Sequence, residues 1–339
     1  MATIKEIAAE AGVSRMTVSN VINHVKGKVS PETEKRILEI MEKHHYVPSM
    51  AARSLTSKSS HIIGILLPLY HHSPSGLLLS PYAAYLTGYF EELLRAKDYY
   101  FMFFSFSGVE EVLRFQRLWH PDGMIQMFPH DDAITYDLVT RTESPLVVLD
   151  RYFDDLNMLS VCIEDRKGGY LATRHCLEAG HREIGFAGSN IHSSYVVGQR
   201  YQGYLDALSE FGITPRPEWV FDHVYRVEGG IQTAEKLLQM DHHPSAVITS
   251  EDLIACGIMQ GIQEHGYAVP EEISLVGFDN SVPASVVTPK LTSVNQFIRK
   301  KAECATGMLL RAIEEPAYRK EKQIIDVDLV CRDSVRRIN

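Results

Sequence analysis

Apolar residues near the start of the chain recur at helical spacing. Ile4, Ile7, Ala8 and Ala11 share one face, Val18, Val21 and Ile22 a second, and Ile37, Leu38 and Met41 a third. Thr3, three positions before Glu6, forms a capping box that opens the first predicted helix. Gly12 breaks that pattern with a residue that turns sharply, Ser14 suits the cap of the second helix, and Ser30 with Pro31 opens the third. Three short helices with a glycine turn between the first two predict helix-turn-helix geometry.

From His61 the period changes. Short apolar runs at Ile62–Leu67, Tyr100–Ser105, Gly123–Met127, Leu146–Leu149, Ile184–Ala187, Ala246–Thr249 and Ile273–Val276 predict strands. Amphipathic stretches between them, among them Tyr82–Ala96, Lys167–Ala179, Val197–Phe211, Gly230–Met240 and Leu253–His265, predict helices. Regular alternation of this kind implies an α/β fold with parallel sheets covered by helices on both faces. The strands are too many for one comfortable sheet, so two lobes are expected.

Composition and charge narrow the function. No run of about 18 apolar residues occurs, and Lys5, Glu6 and Glu10 interrupt the start, so neither a signal peptide nor a membrane span is expected. The cysteines (Cys162, Cys176, Cys256, Cys304 and Cys331) are scattered, odd in number and never spaced as CxxC. That argues against a disulfide framework or a zinc ribbon and for the cytoplasm. A net charge of −9 speaks against coating nucleic acid over the whole surface. The charge is uneven, however: residues 1–60 hold nine Lys and Arg against six Glu, which leaves −12 on the rest. A small basic module on a large acidic body suits a protein that meets phosphate at one end.

The second predicted helix presents Arg15, Met16, Ser19 and Asn20 near its start, the end that enters the major groove in helix-turn-helix proteins. Arg pairs bidentately with guanine and Asn with adenine, while Thr17 and the serine serve phosphates or either base. The segment IKEIAAEAGVSRMTVSNVIN, followed by VSPETEKRILEIMEKHHYVPSMAARSL, closely resembles the headpiece and hinge of LacI-type (lactose and purine repressor) transcription regulators. The resemblance implies a DNA-facing set of Thr3, Ser14, Arg15, Met16, Thr17, Ser19, Asn20 and Asn23, with Arg53 and Leu55 from the hinge. In that family the hinge helix enters the minor groove and a leucine, matched here by Leu55, wedges a base step. A stretch as short as Met50–Leu55 cannot hold a helix alone, so it should order only against a twin copy and DNA.

The resemblance continues through SPLVVLDR, LEAGHREIGFAG, GQRYQGYLDAL, AVITSEDLIACGIMQGIQEHGYAVPEEISLVGFDN and PKLTSVNQ. It implies two lobes like those of periplasmic sugar-binding proteins, joined by about three crossovers, with a small effector between them. The matching effector positions are Tyr82, Asp150, Arg200, Tyr225, Asp252, Asp279 and Gln296, with Arg200 expected to head a helix. Carboxylates accept from hydroxyls, and the Arg fork donates to vicinal oxygens or an anionic group. Two departures stand out: Glu164-Asp165 replaces the usual Asp-Asn, and Glu251 stands where a ligand-contacting Asn is frequent.

The implied domains are a headpiece at 1–47, a hinge helix and linker at 48–60, and a two-lobed effector-binding and dimerisation domain at 61–339. The expected protein is a cytoplasmic repressor of carbohydrate-metabolism genes that binds a near-palindromic operator as a homodimer. A purine-responsive regulator, a stand-alone sugar-binding protein and a sugar-active enzyme are the alternatives. No GxSxG, GxGxxG, GxxxxGK[ST] or HExxH motif occurs, so no catalytic, metal or cofactor site is expected. His71-His72 and His242-His243 are read as solvent-exposed loop residues, and His181 as part of a turn before a strand.

Overall fold

The computed structural model describes residues 2–22, 25, 27–46, 59–69, 80–129, 132–151, 157–222, 224 and 226–338. The chain falls into two compact units, Met1–Ile62 with Trp119–Asp122, and the remainder.

In the first unit the helices α1 (Ile4–Glu10), α2 (Arg15–Ile22) and α3 (Pro31–Lys43) lie where the pattern placed them. Thr3 Oγ1 accepts from the Glu6 N–H at 3.4 Å while the Thr3 N–H donates to Glu6 Oε2 at 2.7 Å, closing the capping box. Gly12 turns the chain at φ +64°. Ser14 Oγ accepts from the Thr17 N–H at 3.1 Å, and Ser30 Oγ from the Thr33 N–H at 3.3 Å. Ile7, Ala8, Ala11, Val18, Val21, Ile22 and Ile37 form the core, with Ile40 and Met41 against it. Leu38 does not join them and is exposed; at one residue past Ile37 it points about 100° away from the stripe. Glu10 accepts from Lys43 Nζ at 2.7 Å and pairs with His44, tying the end of α1 to the end of α3.

Ser59 and Ser60, read from sequence as the end of a linker, are held together with His61. The Asp122 carboxylate accepts from the Ser60 N–H at 2.7 Å, Ser60 Oγ at 3.0 Å, the His61 N–H at 3.1 Å and Ser59 Oγ.

The rest of the chain builds two sheets. Strands β1 (Ile62–Pro68), β2 (Tyr100–Phe106), β3 (Gly123–Gln126), β4 (Leu146–Leu149), β5 (Leu159–Ile163) and β11 (Glu321–Ile325) form the first, ordered β11-β5-β4-β3-β1-β2. Strands β6 (Ile184–Ala187), β7 (Val220–Phe221), β8 (Ala246–Thr249), β9 (Ser274–Asp279), β10 (Thr292–Asn295) and β12 (Asp328–Val330) form the second, ordered β12-β10-β9-β8-β6-β7. The β1–β3, β3–β4, β4–β5 and β5–β11 pairs are parallel, as are those linking β10, β9, β8, β6 and β7; β12 is antiparallel to β10. Strands β3, β4, β6 and β8 are buried along their whole length, as parallel strands covered on both faces must be.

The covering helices are α4 (Pro81–Arg95), α5 (Val109–Trp119), α6 (Asp132–Arg141), α7 (Asp165–Glu178), α8 (Tyr195–Glu210), α9 (Arg226–Leu238), α10 (Asp252–Glu264), the short α11 (Val282–Val286) and α12 (Ile298–Glu314). Helix α7 packs on the second sheet and α12 on the first. The chain therefore passes between lobes three times, at Glu164, at Gln296-Phe297 and at Asp326-Val327. Helices α7 and α8 touch backbone to backbone: a Cβ on Gly169 would stand 1.9 Å from the Arg200 carbonyl oxygen, and one on Gly203 1.9 Å from that of Arg166. This close approach sets Arg200 beside Asp165.

Candidate functional site

Two places in the chain gather polar side chains that the fold alone does not require. The first is the start of α2. Thr3, Ser14, Arg15 and Met16 are exposed, Met16 to 69%, while Thr17, Ser19 and Asn20 are half-buried. An exposed methionine beside an arginine, on a helix whose opposite face carries Val18, Val21 and Ile22, is a surface offered to something else. Thr3 and Ser14 spend their side chains on caps, so they orient the surface. Asn23, Arg53 and Leu55 lie outside the described residues.

The second place is built at the carboxyl ends of the strands, where ligands of open α/β sheets sit. Asp150 follows β4, Asp279 ends β9, and Gln296 follows β10; Tyr82 is in the first turn of α4. Arg200 does not head its helix. Ser194 caps α8 by accepting from the Val197 N–H at 3.3 Å, so Arg200 falls in the second turn. Asp150, Asp279, Asn280 and Phe297 all adopt left-handed backbone (φ 56°, 118°, 52° and 50°). Such conformations cost about 1–2 kcal/mol per residue and cluster at functional sites. Tyr225 lies outside the described residues.

Four of the predicted residues join one hydrogen-bonded chain through a fifth that the sequence reading missed. Lys301 Nζ donates to Asp150 Oδ1 at 2.6 Å, to Tyr82 Oη at 3.0 Å and to Gln296 Oε1 at 3.0 Å. Tyr82 Oη donates to Asp150 Oδ2 at 2.8 Å, and Gln296 Nε2 donates to Asp279 Oδ1. Lys301 is 1% exposed. It stands on the apolar stripe of α12, in step with Ile298, Ala305 and Met308, unlike its neighbours Arg299 and Lys300. That periodicity was the available signal: a lysine in phase with a core face has to find acceptors.

Arg200 makes the other buried pair. Its Nε donates to Asp165 Oδ1 at 2.7 Å, its Nη1 donates to the Ser250 carbonyl, and its guanidinium lies 3.6 Å from the centre of the Phe278 ring. The acidic departure at Asp165 is thus the counter-ion of Arg200. Asp252 stands apart. Its carboxylate accepts from the Ser281 N–H and Oγ, each at 2.7 Å, and from Ser293 Oγ at 2.5 Å, which commits it to pinning the ends of β9 and β10.

Burial dominates the electrostatics. It pushes Asp279 well above the ordinary carboxylate range, with Asp252 adding to the rise and Arg200 opposing it. Burial likewise pushes Asp252 up to about 6 against the serine hydrogen bonds, and raises Glu251 against the pull of Arg200. Tyr82 is raised by burial and by Asp150. For Arg200 burial works downward, but Asp165 and Asp279 outweigh it and hold the charge.

The histidines belong to the framework. His181 is buried between Ser245 Oγ at 2.8 Å and the Arg336 carbonyl at 3.1 Å. His242 pairs with Glu183 and the half-buried His243 with Glu272, two separate contacts; His71 and His72 lie outside the described residues. Among the described residues no group of three or more His, Cys, Asp or Glu could hold a metal ion, and no helix is long and apolar enough to cross a membrane.

Residues 3–49 match the bacterial regulatory proteins of the lacI family, and the chain is 32% identical to the ribose operon repressor of Haemophilus influenzae over 99% of both. The chain belongs to the LacI family. Its LacI headpiece is joined to a periplasmic binding protein-like domain, matched over residues 173–335. Other LacI-type relatives include the probable HTH-type transcriptional repressor ExuR of Bacillus subtilis, 31% identical over 100% of this chain and 99% of that one. The HTH-type transcriptional repressor PurR of Aliivibrio salmonicida is 30% identical over the full length of both. Among solved structures, the Lac repressor dimer bound to operator and the anti-inducer ONPF matches with a TM-score of 0.87 and 25% identity over 99% of each chain. The two-lobed LacI architecture and its crossovers are those expected from the sequence.

Proposed function

We propose that this LacI-family chain is a cytoplasmic, ligand-responsive transcriptional repressor. It binds a near-palindromic operator as a homodimer and a small effector at the strand ends. One observation carries the reading: a single chain unites an exposed, capped second helix with a buried polar network laid across the lobe crossovers. The first is suited to DNA and the second to a polyhydroxylated metabolite. Full-length relatives named as repressors support it, including one of a ribose operon.

In this reading Arg15, Met16, Thr17, Ser19, Asn20 and Asn23 face the operator half-site, Thr3 and Ser14 set the helices, and Arg53 and Leu55 act in the minor groove. Arg200, Asp279, Gln296, Asp150, Tyr82 and Tyr225 form the effector wall, and Asp252 braces it. Gln296 lies on a crossover and Asp165 directly follows another, so an effector that contacts them biases the angle between the lobes. Effector and operator are then coupled, typically by about 1–3 kcal/mol, or roughly 5–150-fold in operator affinity.

The test is selection of binding sites from random duplex DNA, followed by titration of the selected duplex with and without a panel of sugars, sugar acids and nucleobases. A two-fold symmetric site whose affinity one panel member changes is expected. Unselective binding would sink the repressor reading. Arg15→Ala should lower affinity at one base position by about 1–3 kcal/mol; equal loss on every sequence would assign Arg15 to phosphate instead.

A further inference from the structure

Lys301 is a member of the cleft network that neither the motifs nor the family resemblance marked, and its hydrogen bonds all run one way. An ammonium has three donors and no acceptor, and here each donor has a partner: Tyr82, Asp150 and Gln296. The consequences propagate outward. With its oxygen accepting from Lys301, the Tyr82 hydroxyl turns its hydrogen to Asp150 Oδ2. With Gln296 Oε1 turned to Lys301, the amide nitrogen must face Asp279. An apolar residue at 301 would leave both groups able to turn over: the tyrosine could point its hydrogen elsewhere, and the glutamine could present oxygen to Asp279.

Lys301 sits behind these groups, its side chain 1% exposed while that of Asp150 is 13% exposed. It therefore acts through its neighbours. We propose that Lys301 is a positioning residue that sets which cleft groups donate and which accept, and so decides which effector the cleft takes. The proposal rests on the effector-cleft reading above.

The test has a ligand-free arm and a ligand arm, both on the full chain. In the first, thermal melts follow a double-mutant cycle. At pH 8, on the side where Asp279 loses its proton, Gln296→Glu places a second carboxylate against it and should lower the melting temperature. Adding Asp279→Asn, whose amide can donate where Asp279 accepts, should restore it, because Lys301 still faces an acceptor. No recovery in the double variant would overturn the assigned polarity. In the second arm, wild type, Asp150→Asn and Lys301→Met/Asp150→Asn are screened by thermal shift, and the preference is compared between the two variants, which differ only at position 301. The probes are D-ribose, 2-deoxy-D-ribose, D-glucose, D-galactose, cellobiose and D-glucuronate.

A positioning role predicts a changed rank order, with the preference between two probes moving roughly tenfold, the factor that about 1.4 kcal/mol carries. Uniform weakening of every probe would reduce Lys301 to a structural role and overturn the proposal. Silence of the wild type toward all six probes, with recovery in the melting cycle, would place the failure in the sugar reading and not in the polarity.

Discussion

The headpiece and the cleft are built by opposite rules. In the headpiece the contacts that open the helices are local: Thr3 with Glu6, Ser14 with Thr17 and Ser30 with Thr33 are all three residues apart, and the remote pairing of Glu10 with Lys43 and His44 lies at the exposed surface. In the cleft the decisive contacts are remote, with Lys301 reaching Asp150 across 151 positions and Tyr82 across 219. Local caps each contribute modestly and fail gradually. A buried ion pair is assembled only when the whole domain is folded, and losing one partner strands the other in low dielectric. Helix α2 therefore rests on many small, replaceable supports, while the buried polar network rests on a few that cannot be altered singly.

The largest effect should come from breaking the remote pair. Lys301→Met leaves the partly buried Asp150 without its counter-ion and should cost up to about 3–5 kcal/mol in urea unfolding of the full chain. Adding Asp150→Asn should recover most of that loss, and failure to recover would mean that packing, not charge, was at stake. Next comes Gly203→Ala, whose methyl would collide with the Arg166 carbonyl; about 1–3 kcal/mol is expected, with a weakened effector response because α8 carries Arg200.

The third effect depends on pH. The folded-state carboxyl of Asp279 is raised by burial, so its contribution to stability is complete below the unfolded value near 4 and is lost as pH rises toward the folded value. Asp279→Asn should consequently melt higher than wild type at pH 8 and lose that advantage at pH 4. An advantage independent of pH would show that the carboxyl stays ionised. The smallest effect tests the local side: Thr3→Ala should destabilise α1 by about 1 kcal/mol, read as faster amide exchange in Ile4–Glu10 with the two sheets unaffected.

What the sequence made legible follows the same division. Helices α1 to α3 were readable because caps and periodicity lie within a few positions of one another. The buried strands were readable because parallel strands are apolar throughout; Leu146–Leu149, Ile184–Ala187 and Ala246–Thr249 agree to the residue. Leu38 was misplaced because a neighbour in sequence is not a neighbour on a helix face. The family resemblance pointed to Tyr82, Asp150, Arg200, Asp279 and Gln296 as candidates, but not to the pairings among them. That Asp165 answers Arg200 depends on the contact of α7 with α8, and that Lys301 meets Tyr82, Asp150 and Gln296 depends on how α12 crosses the first sheet. Neither is encoded in spacing along the chain.

The Asp122 clamp has a consequence for how the operator is found. With four bonds to one carboxylate, Ser59–His61 form an anchorage, and the headpiece precedes it in the chain. In a two-headed complex the number of residues between head and anchorage bears on the local concentration of the second head at its half-site once the first is seated. Adding residues ahead of Ser59 would dilute that concentration and relax the spacing between half-sites that the pair will accept. Adding them after His61 would displace the anchorage itself.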